Sequence, residues 1–85
     1  MMHVTVIAPE GAVFEGDADS VVAPAFDGEV GILPRHAPFM TLLGEGRLTV
    51  KKSGESNAFR VRGGLLQVVR DNVRVVTEEA QIDEG

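Results

Sequence analysis

Residues 26–43 constrain the fold of this chain more than any other stretch, because they combine helix breakers with apolar side chains. Glycine opens backbone conformations that other residues avoid, and proline fixes φ and lacks an amide donor. No helix can run through such a segment. We expect a stiff, partly buried path that holds Glu29, Arg35 and His36 in fixed positions. The breakers are Gly28, Gly31, Pro34 and Pro38, and the apolar residues are Val30, Ile32, Leu33, Phe39, Met40, Leu42 and Leu43.

On both sides of this stretch, apolar and polar residues alternate with a period of two, which predicts β-strands. The alternation is clearest in residues 3–7, 47–51 and 57–62, and no long window keeps a helical face. The sequence therefore predicts an all-β fold, a single β-sandwich of roughly eight to ten short, mostly antiparallel strands. The side chains expected to face its core are Val4, Val6, Leu48, Val50, Phe59 and Val61.

Turn residues predict where the strands end. Pro24 is expected to end the third strand, Gly63-Gly64 marks a tight bend, and a last hairpin is predicted around Asp71-Asn72. Residues 1–80 are predicted to form one domain and residues 81–85 a short acidic tail. That tail belongs to an acidic end that begins at Glu78 and is expected to be disordered.

Composition excludes several classes of function. The chain has 85 residues, a formal net charge of −5, no cysteine, and four phenylalanines as its only aromatic residues. The negative charge opposes binding to nucleic-acid phosphates or anionic membranes, and the lack of cysteine excludes disulfides and thiolate metal sites. No apolar run is long enough to span a bilayer, and no signal peptide is visible. We expect the phenylalanines in the core, with Phe39 the one most suited to contact a partner.

The residues alone leave several roles open for the polar side chains. Glu29 fits a solvated turn residue or a contact with another subunit, and His36 fits an interface donor, a catalytic base or a residue that orders its loop. An enzyme that uses Glu29 and His36 as an acid–base pair would also need a convergent pocket. A carrier domain with a lipoyl or biotinyl group on Lys51 or Lys52 is a further alternative, although the residues around these lysines are atypical for it.

Residues 28–38, which spell G-E-V-G-I-L-P-R-H-A-P, resemble the signature of the epsilon subunit of F-type ATP synthases. Residues 61–68, which contain the Gly63-Gly64 pair, and residues 72–77 resemble later segments of the same family. The resemblance spans residues 2–80. Arg35 departs from the pattern, because the family usually has a small residue at this position, often glycine.

The resemblance implies a non-catalytic central-stalk (rotor) subunit of a proton- or sodium-translocating ATP synthase, which couples the gamma subunit to the ring of membrane c subunits. Glu29, Val30 and Gly31 match the turn that touches the polar loops of the c ring. The residues that match the gamma-facing part are His36, Ala37, Pro38, Phe39 and Met40.

In the family, the sandwich is followed by a hairpin of two helices, and this chain stops where the first helix would begin. Ile82-Asp83 keeps only the first positions of a helix motif that is linked to ATP binding. The resemblance therefore implies no cofactor and no ATP site here, whether the chain is naturally short or truncated. It also implies a peripheral protein on the cytoplasmic face of a bacterial plasma membrane, since no transit segment is visible.

Overall fold

The computed structural model describes residues 1–83, and every regular element in that range is a β-strand. Strands form because β-branched and apolar residues alternate with polar ones and are separated by short turns. The predicted all-β fold is confirmed, with eight strands. They are β1 (Met2–Ala8), β2 (Gly11–Ala18), β3 (Ser20–Ala25), β4 (Gly28–Ile32), β5 (Phe39–Leu42), β6 (Glu45–Lys52), β7 (Glu55–Val69) and β8 (Asn72–Ile82).

The strands form one continuous sheet that folds back on itself. Its order is β2-β1-β8-β7-β6-β3-β4, and β5 pairs with β7. All pairs are antiparallel except β1 with β8, which brings the first and last strands of the chain side by side in parallel. Parallel neighbours need a long connection, and here the rest of the sandwich supplies it.

β7 passes from one layer of the sandwich to the other. A straight strand of 15 residues would extend about 50 Å, whereas the longest axis of the molecule measures 27 Å. The strand therefore bends, and its antiparallel partner changes from β6 to β5 at the bend. The residues between the two pairings, Gly63 and Gly64, both have positive φ, at 68° and 111°. The predicted bend at Gly63-Gly64 is confirmed and lies inside a strand.

Gly64 is needed at this bend because β8 passes too close for a side chain. A Cβ at this position would collide with the carbonyl oxygen of Val76. Thr77 lies opposite Gly64 and is buried, and its hydroxyl donates to the carbonyl of Gly63 at 2.8 Å. The bend thus combines close backbone packing with a satisfied polar group.

The core lies between the folded halves of the sheet. All the side chains that alternation predicted to face inward are buried, so that prediction is confirmed. Phe14 packs edge-on against Phe59, with 5.8 Å between ring centroids. Burying a valine or leucine of this kind contributes about 1.5–3 kcal/mol, so the core dominates the stability of the fold. The largest fully buried side chains are Met2, Ile32, Leu48, Leu66, Val4, Val6, Val21, Val50, Val61, Val68, Val73 and Val75.

Some strand ends differ from the predictions. β3 continues through Pro24 to Ala25 instead of ending at the proline. The sheet tolerates Pro24 because β6 pairs with β3 only as far as Val22, so no ladder bond is lost there. The last hairpin turns one residue earlier than predicted, at Arg70-Asp71, which both have positive φ.

The acidic end of the chain is more ordered than predicted. Residues 78–82 belong to β8 and pair with β7, so the expected disordered tail is wrong for this stretch. The strand persists because it stays paired with β7, although the inward side shifts from Thr77 to Ala80 across the bend, with Glu79 outward and Ala80 packed against the core. Glu84 and Gly85 lie outside the described residues.

Candidate docking surfaces

Glu29, Val30 and Gly31 lie on strand β4, at the edge of the sheet. The interpretation of these residues as a turn is therefore wrong, because the turn is formed by Phe26-Asp27 just before them. Among residues 1–83, β4 pairs only with β3, so its other edge is open. Val30 packs against the core, whereas Glu29 and Gly31 are exposed and point away from it. The edge thus exposes the Glu29 carboxylate on a strand that Val30 holds against the core.

Residues 33–38 connect β4 to β5 and are called the β4–β5 loop. Arg35 adopts a left-handed conformation with φ of 67°, which glycine adopts more readily than other residues. The amide of Arg35 donates to the Asp71 carboxylate at 2.6 Å. The Nδ1 atom of His36 hydrogen-bonds to the carbonyl of Ala37 at 2.8 Å, and the imidazole packs edge-on against Phe39. His36 therefore orders its own loop.

The residues expected to face gamma divide between the loop and both sides of β5. Ala37 and Pro38 are exposed in the loop, and Met40 is 62% exposed on the outer side of β5. Phe39 points the other way and packs, half-buried, against the core. The phenylalanine exposed to solvent is instead Phe26, at 67%, so the expectation that it lies in the core is wrong. Phe26 is displaced outward because it occupies the turn between β3 and β4.

An apolar row crosses the outer side of the sheet from β5 to β1. Leu42 pairs with Leu65, Leu65 with Val76, and Val76 with Ile7. Leu42 is 59% exposed and Val76 40% exposed, and a shallow depression beside the row is lined by Phe26 and Met40. Adjacent apolar side chains on neighbouring strands form one continuous surface. We call this surface the apolar face, and its members are Ile7, Leu42, Leu65, Val76, Phe26 and Met40.

Sequence reasoning missed most of the apolar face, although the sequence contains a signal for it. In a strand, neighbouring residues point to opposite sides, so two adjacent apolar residues place one side chain outward. Such doublets occur at Val6-Ile7, Leu42-Leu43, Leu65-Leu66 and Val75-Val76, and in each of them the member that is not buried belongs to the apolar face.

The outer side of the opposite half of the sheet is polar. Arg62 forms an ion pair with Glu79 at 3.4 Å, and Arg47 forms one with Asp83 at 3.7 Å. The residues paired with these arginines across the strands are also polar or charged, as is usual for solvent-facing strand positions. We call this surface the charged face, and its members are Glu29, Arg47, Arg60, Arg62, Glu79 and Gln81.

His3 lies between two carboxylates on the outer side of β1. Its Nε2 atom is 3.0 Å from Glu15, and its Nδ1 atom is 3.5 Å from Asp17, both on β2. The hydrogen bond to Glu15, followed by that to Asp17, raises the pKa of His3 above its ordinary value. The cluster therefore joins β1 to β2 more strongly when the imidazole is protonated.

The structure gives no support to the catalytic and carrier alternatives. Within residues 1–83, no hydrogen bond or ion pair joins Glu29 to His36, and no group of three potential ligands is placed to hold a metal ion. Lys51 and Lys52 are exposed at the end of β6, before the turn at Ser53-Gly54 and not within it. No helix in the described part of the chain is long and apolar enough to cross a membrane.

A β-sandwich with an uncovered apolar face defines a small docking domain, a class of protein that acts by contact with partners. The chain belongs to the ATP synthase delta/epsilon chain family, because the family's β-sandwich domain matches residues 1–83. This finding confirms the resemblance inferred from the signature.

Similar proteins support the assignment. The chain is 39% identical to the ATP synthase epsilon chain of Caulobacter vibrioides over 79 residues, which cover 93% of this chain and 92% of the relative. It is 46% identical to the ATP synthase epsilon chain 1 of Methylococcus capsulatus over 80 residues, which cover 93% of this chain and 57% of the relative. The chain thus spans nearly all of one relative but little more than half of the other.

Solved structures share the fold at low sequence identity. A chain of the Euglena gracilis mitochondrial ATP synthase, solved with OSCP, F1 and the c ring, superimposes with a TM-score of 0.89 at 21% identity. That match covers 95% of this chain and 52% of the other. A chain of the Tetrahymena thermophila central stalk and c ring gives a TM-score of 0.77 at 18% identity, covering 94% and 65%. These likenesses concern the fold of the sandwich.

Proposed function

We propose that this chain is a non-catalytic central-stalk (rotor) subunit of a proton- or sodium-translocating F-type ATP synthase, in which it couples the gamma subunit to the c ring. The family assignment and the relatives named ATP synthase epsilon chain support this function. The observation that carries it is the apolar face, which brings apolar side chains from four strands and one turn into a continuous outer surface. A rotor subunit needs such a surface because it must remain bound to its neighbouring subunits while the rotor turns.

The apolar face and the β4–β5 loop are the proposed contact with gamma. Met40 belongs both to the residues expected to face gamma and to the apolar face, so the two surfaces are continuous at β5. His36, Ala37 and Pro38 extend the contact along the loop, while Phe39 supports it from the core side. Apolar side chains at the centre of an interface contribute most of its affinity, and polar neighbours form its rim.

The open edge of β4 is the proposed contact with the c ring. Glu29 supplies a negative charge for basic side chains on the polar c-ring loops, and Gly31 lets another backbone approach without obstruction. Val30 holds the edge strand to the core. Exposed charge pairs set register and association rate more than they set affinity, so this contact should depend on salt.

The sandwich suits a part that transmits torque. β7 runs without interruption from the layer next to β6 to the layer next to β5, and β8 follows it along this path. A load applied at the apolar face therefore reaches the charged face through paired strands instead of a flexible linker. In this proposal the protein is held peripherally, through the c ring, at the cytoplasmic face of a bacterial membrane.

The direct test is complex formation between the purified chain and the gamma subunit encoded with it. Size-exclusion chromatography should show a stable one-to-one complex, and calorimetry should show a negative heat-capacity change, because apolar surface is buried. Addition of detergent-solubilised c ring should then yield a ternary complex. If the chain elutes as a monomer when it is mixed with gamma at micromolar concentrations, the proposal is wrong.

A further inference from the structure

The β4–β5 loop is tethered to the body of the protein at one point. Pro34 and Pro38 have no amide donor, and His36 bonds within the loop. Among the described residues, the hydrogen bond from the Arg35 amide to the Asp71 carboxylate is the one that connects the loop backbone to another element. This hydrogen bond therefore has a large influence on the position of the β4–β5 loop relative to the sheet.

Asp71 is itself held from several directions. It shares with Arg70 a tight turn between β7 and β8, in which both residues have positive φ and Val69 pairs with Asn72. Its carbonyl accepts a hydrogen bond from the amide of His3 at 2.8 Å, which ties the turn to β1. The Asp71 carboxylate therefore belongs to a hairpin turn that is itself fixed by strand pairing and by a hydrogen bond to β1.

The conformation of Arg35 indicates that the tether matters. A non-glycine residue at positive φ is disfavoured by roughly 1–2 kcal/mol, and such strain persists where surrounding contacts impose it. The contact that fixes Arg35 is the charge-assisted bond to Asp71, whose length of 2.6 Å is at the short end of the range for such bonds. Among the described residues, this hydrogen bond is the one through which another element of the fold holds the Arg35 backbone.

We propose that Asp71 is a positioning residue that holds the β4–β5 loop in the conformation presented to gamma. The inference rests on the proposed function, because it assigns Asp71 a role in an interface that it need not itself touch. Pre-ordering a loop lowers the conformational entropy lost on binding and so strengthens association. Asp71 lies in the last hairpin, far in sequence from the signature it serves.

The competing explanation is that Asp71 only stabilises its own turn. Two substitutions separate the explanations, because asparagine and glycine both tolerate positive φ. Asp71→Asn keeps a side-chain oxygen for the Arg35 amide, whereas Asp71→Gly keeps the turn and removes the acceptor. If Asp71 acts only in its own turn, the exchange rate of the Arg35 amide should be similar to wild type in both variants.

The experiment measures amide hydrogen exchange by NMR and gamma affinity by calorimetry on the full chain. Asp71→Gly should raise the exchange rate of the Arg35 amide about tenfold, leave core amides unchanged and weaken gamma binding about tenfold. Asp71→Asn should restore both quantities to within about threefold of wild type. If Asp71→Gly melts early, both quantities are measured at a temperature below its melting transition, where the exchange of core amides reports that the fold is intact.

The outcomes distinguish this inference from the function on which it rests. Unchanged exchange at Arg35 in Asp71→Gly overturns the tether, whatever gamma does. Faster exchange with unchanged gamma affinity overturns the positioning role and leaves the proposed function standing. A wild-type chain that does not bind gamma overturns the proposed function and the positioning role together, while the exchange data still report on the tether.

Discussion

The two outer surfaces of the folded sheet obey the same structural rule but carry different chemistry. On the apolar face, outward positions hold side chains such as Leu42 and Val76, whereas the charged face has Arg62 and Glu79 at equivalent positions. Both surfaces cover the same core, so folding alone does not require the difference. The contrast therefore reports on what each surface meets outside the chain.

This contrast also predicts how each contact responds to solution conditions. Burial of the apolar face gains hydrophobic free energy, which salt screens little, whereas a contact through Glu29 is electrostatic and weakens as salt is added. In the proposed function, one domain therefore binds two partners by different forces. Conditions that loosen the c-ring contact should leave the gamma contact in place.

The largest expected effect comes from disturbing the bend that allows β7 to contribute to both surfaces. Gly64→Ala should lower the free energy of unfolding by about 3 kcal/mol or more, because the new Cβ meets the backbone of β8 and φ is positive there. Urea denaturation followed by circular dichroism measures the change. The loss should affect both surfaces at once.

Gly11→Ala is the matched control for the bend. Gly11 also has positive φ, at 128°, but a Cβ there would meet nothing within 4 Å. It should cost only the backbone strain, about 1–2 kcal/mol. If both variants lose the same stability, close packing at Gly64 is not what holds the two halves together.

The next effect tests the contrast between the surfaces directly. Leu42→Glu should weaken gamma binding by about 2 kcal/mol, roughly thirtyfold, because it places a charge within the apolar face. Gln81→Glu introduces the same side chain on the charged face and changes the net charge equally, so it should bind gamma normally. Calorimetry with gamma compares them. Equal losses in the two variants would remove the distinction on which the gamma surface rests.

Local pattern was sufficient to predict the interior of the sandwich. The alternation around Leu48, Val50, Phe59 and Val61 identified buried positions correctly, because side-chain direction in a strand depends only on position along it. The end of β8 was missed because acidic composition suggested disorder, whereas residues 78–82 pair with β7 even though their inward positions shift from Thr77 to Ala80.

Features that depend on pairing between distant strands could not be predicted in this way. The apolar face exists only because Leu42, Leu65, Val76 and Ile7 fall into register across their strands, and register is a tertiary property. The tether to Asp71 joins residues 36 positions apart and leaves no local trace in the sequence. The signature predicts which residues meet the partners, and the strand pairing shows which elements hold those residues in place.

A smaller effect is expected at the charged edge of the sheet. Glu29→Gln should weaken binding of the gamma complex to the c ring by under about 1 kcal/mol, and the deficit should vanish at high salt, since a rim charge is lost. Glu55→Gln makes the same change in the turn region between β6 and β7, which lies away from β4, and should have no effect. Pull-down with solubilised c ring at two salt concentrations measures both. A loss of c-ring binding that does not depend on salt would indicate that Glu29 contributes through packing and not through its charge.

The smallest effect concerns His3, which lies at one border of the apolar face. Because Glu15 and Asp17 raise the pKa of His3 in the folded protein, protonation favours folding. This contribution is fully present below the ordinary histidine pKa and is lost as pH rises through the folded value. NMR titration should therefore give His3 a pKa above the ordinary histidine value, and Glu15→Gln should move it back toward that value. A titration that Glu15→Gln leaves unchanged would show that the cluster does not hold β1 to β2.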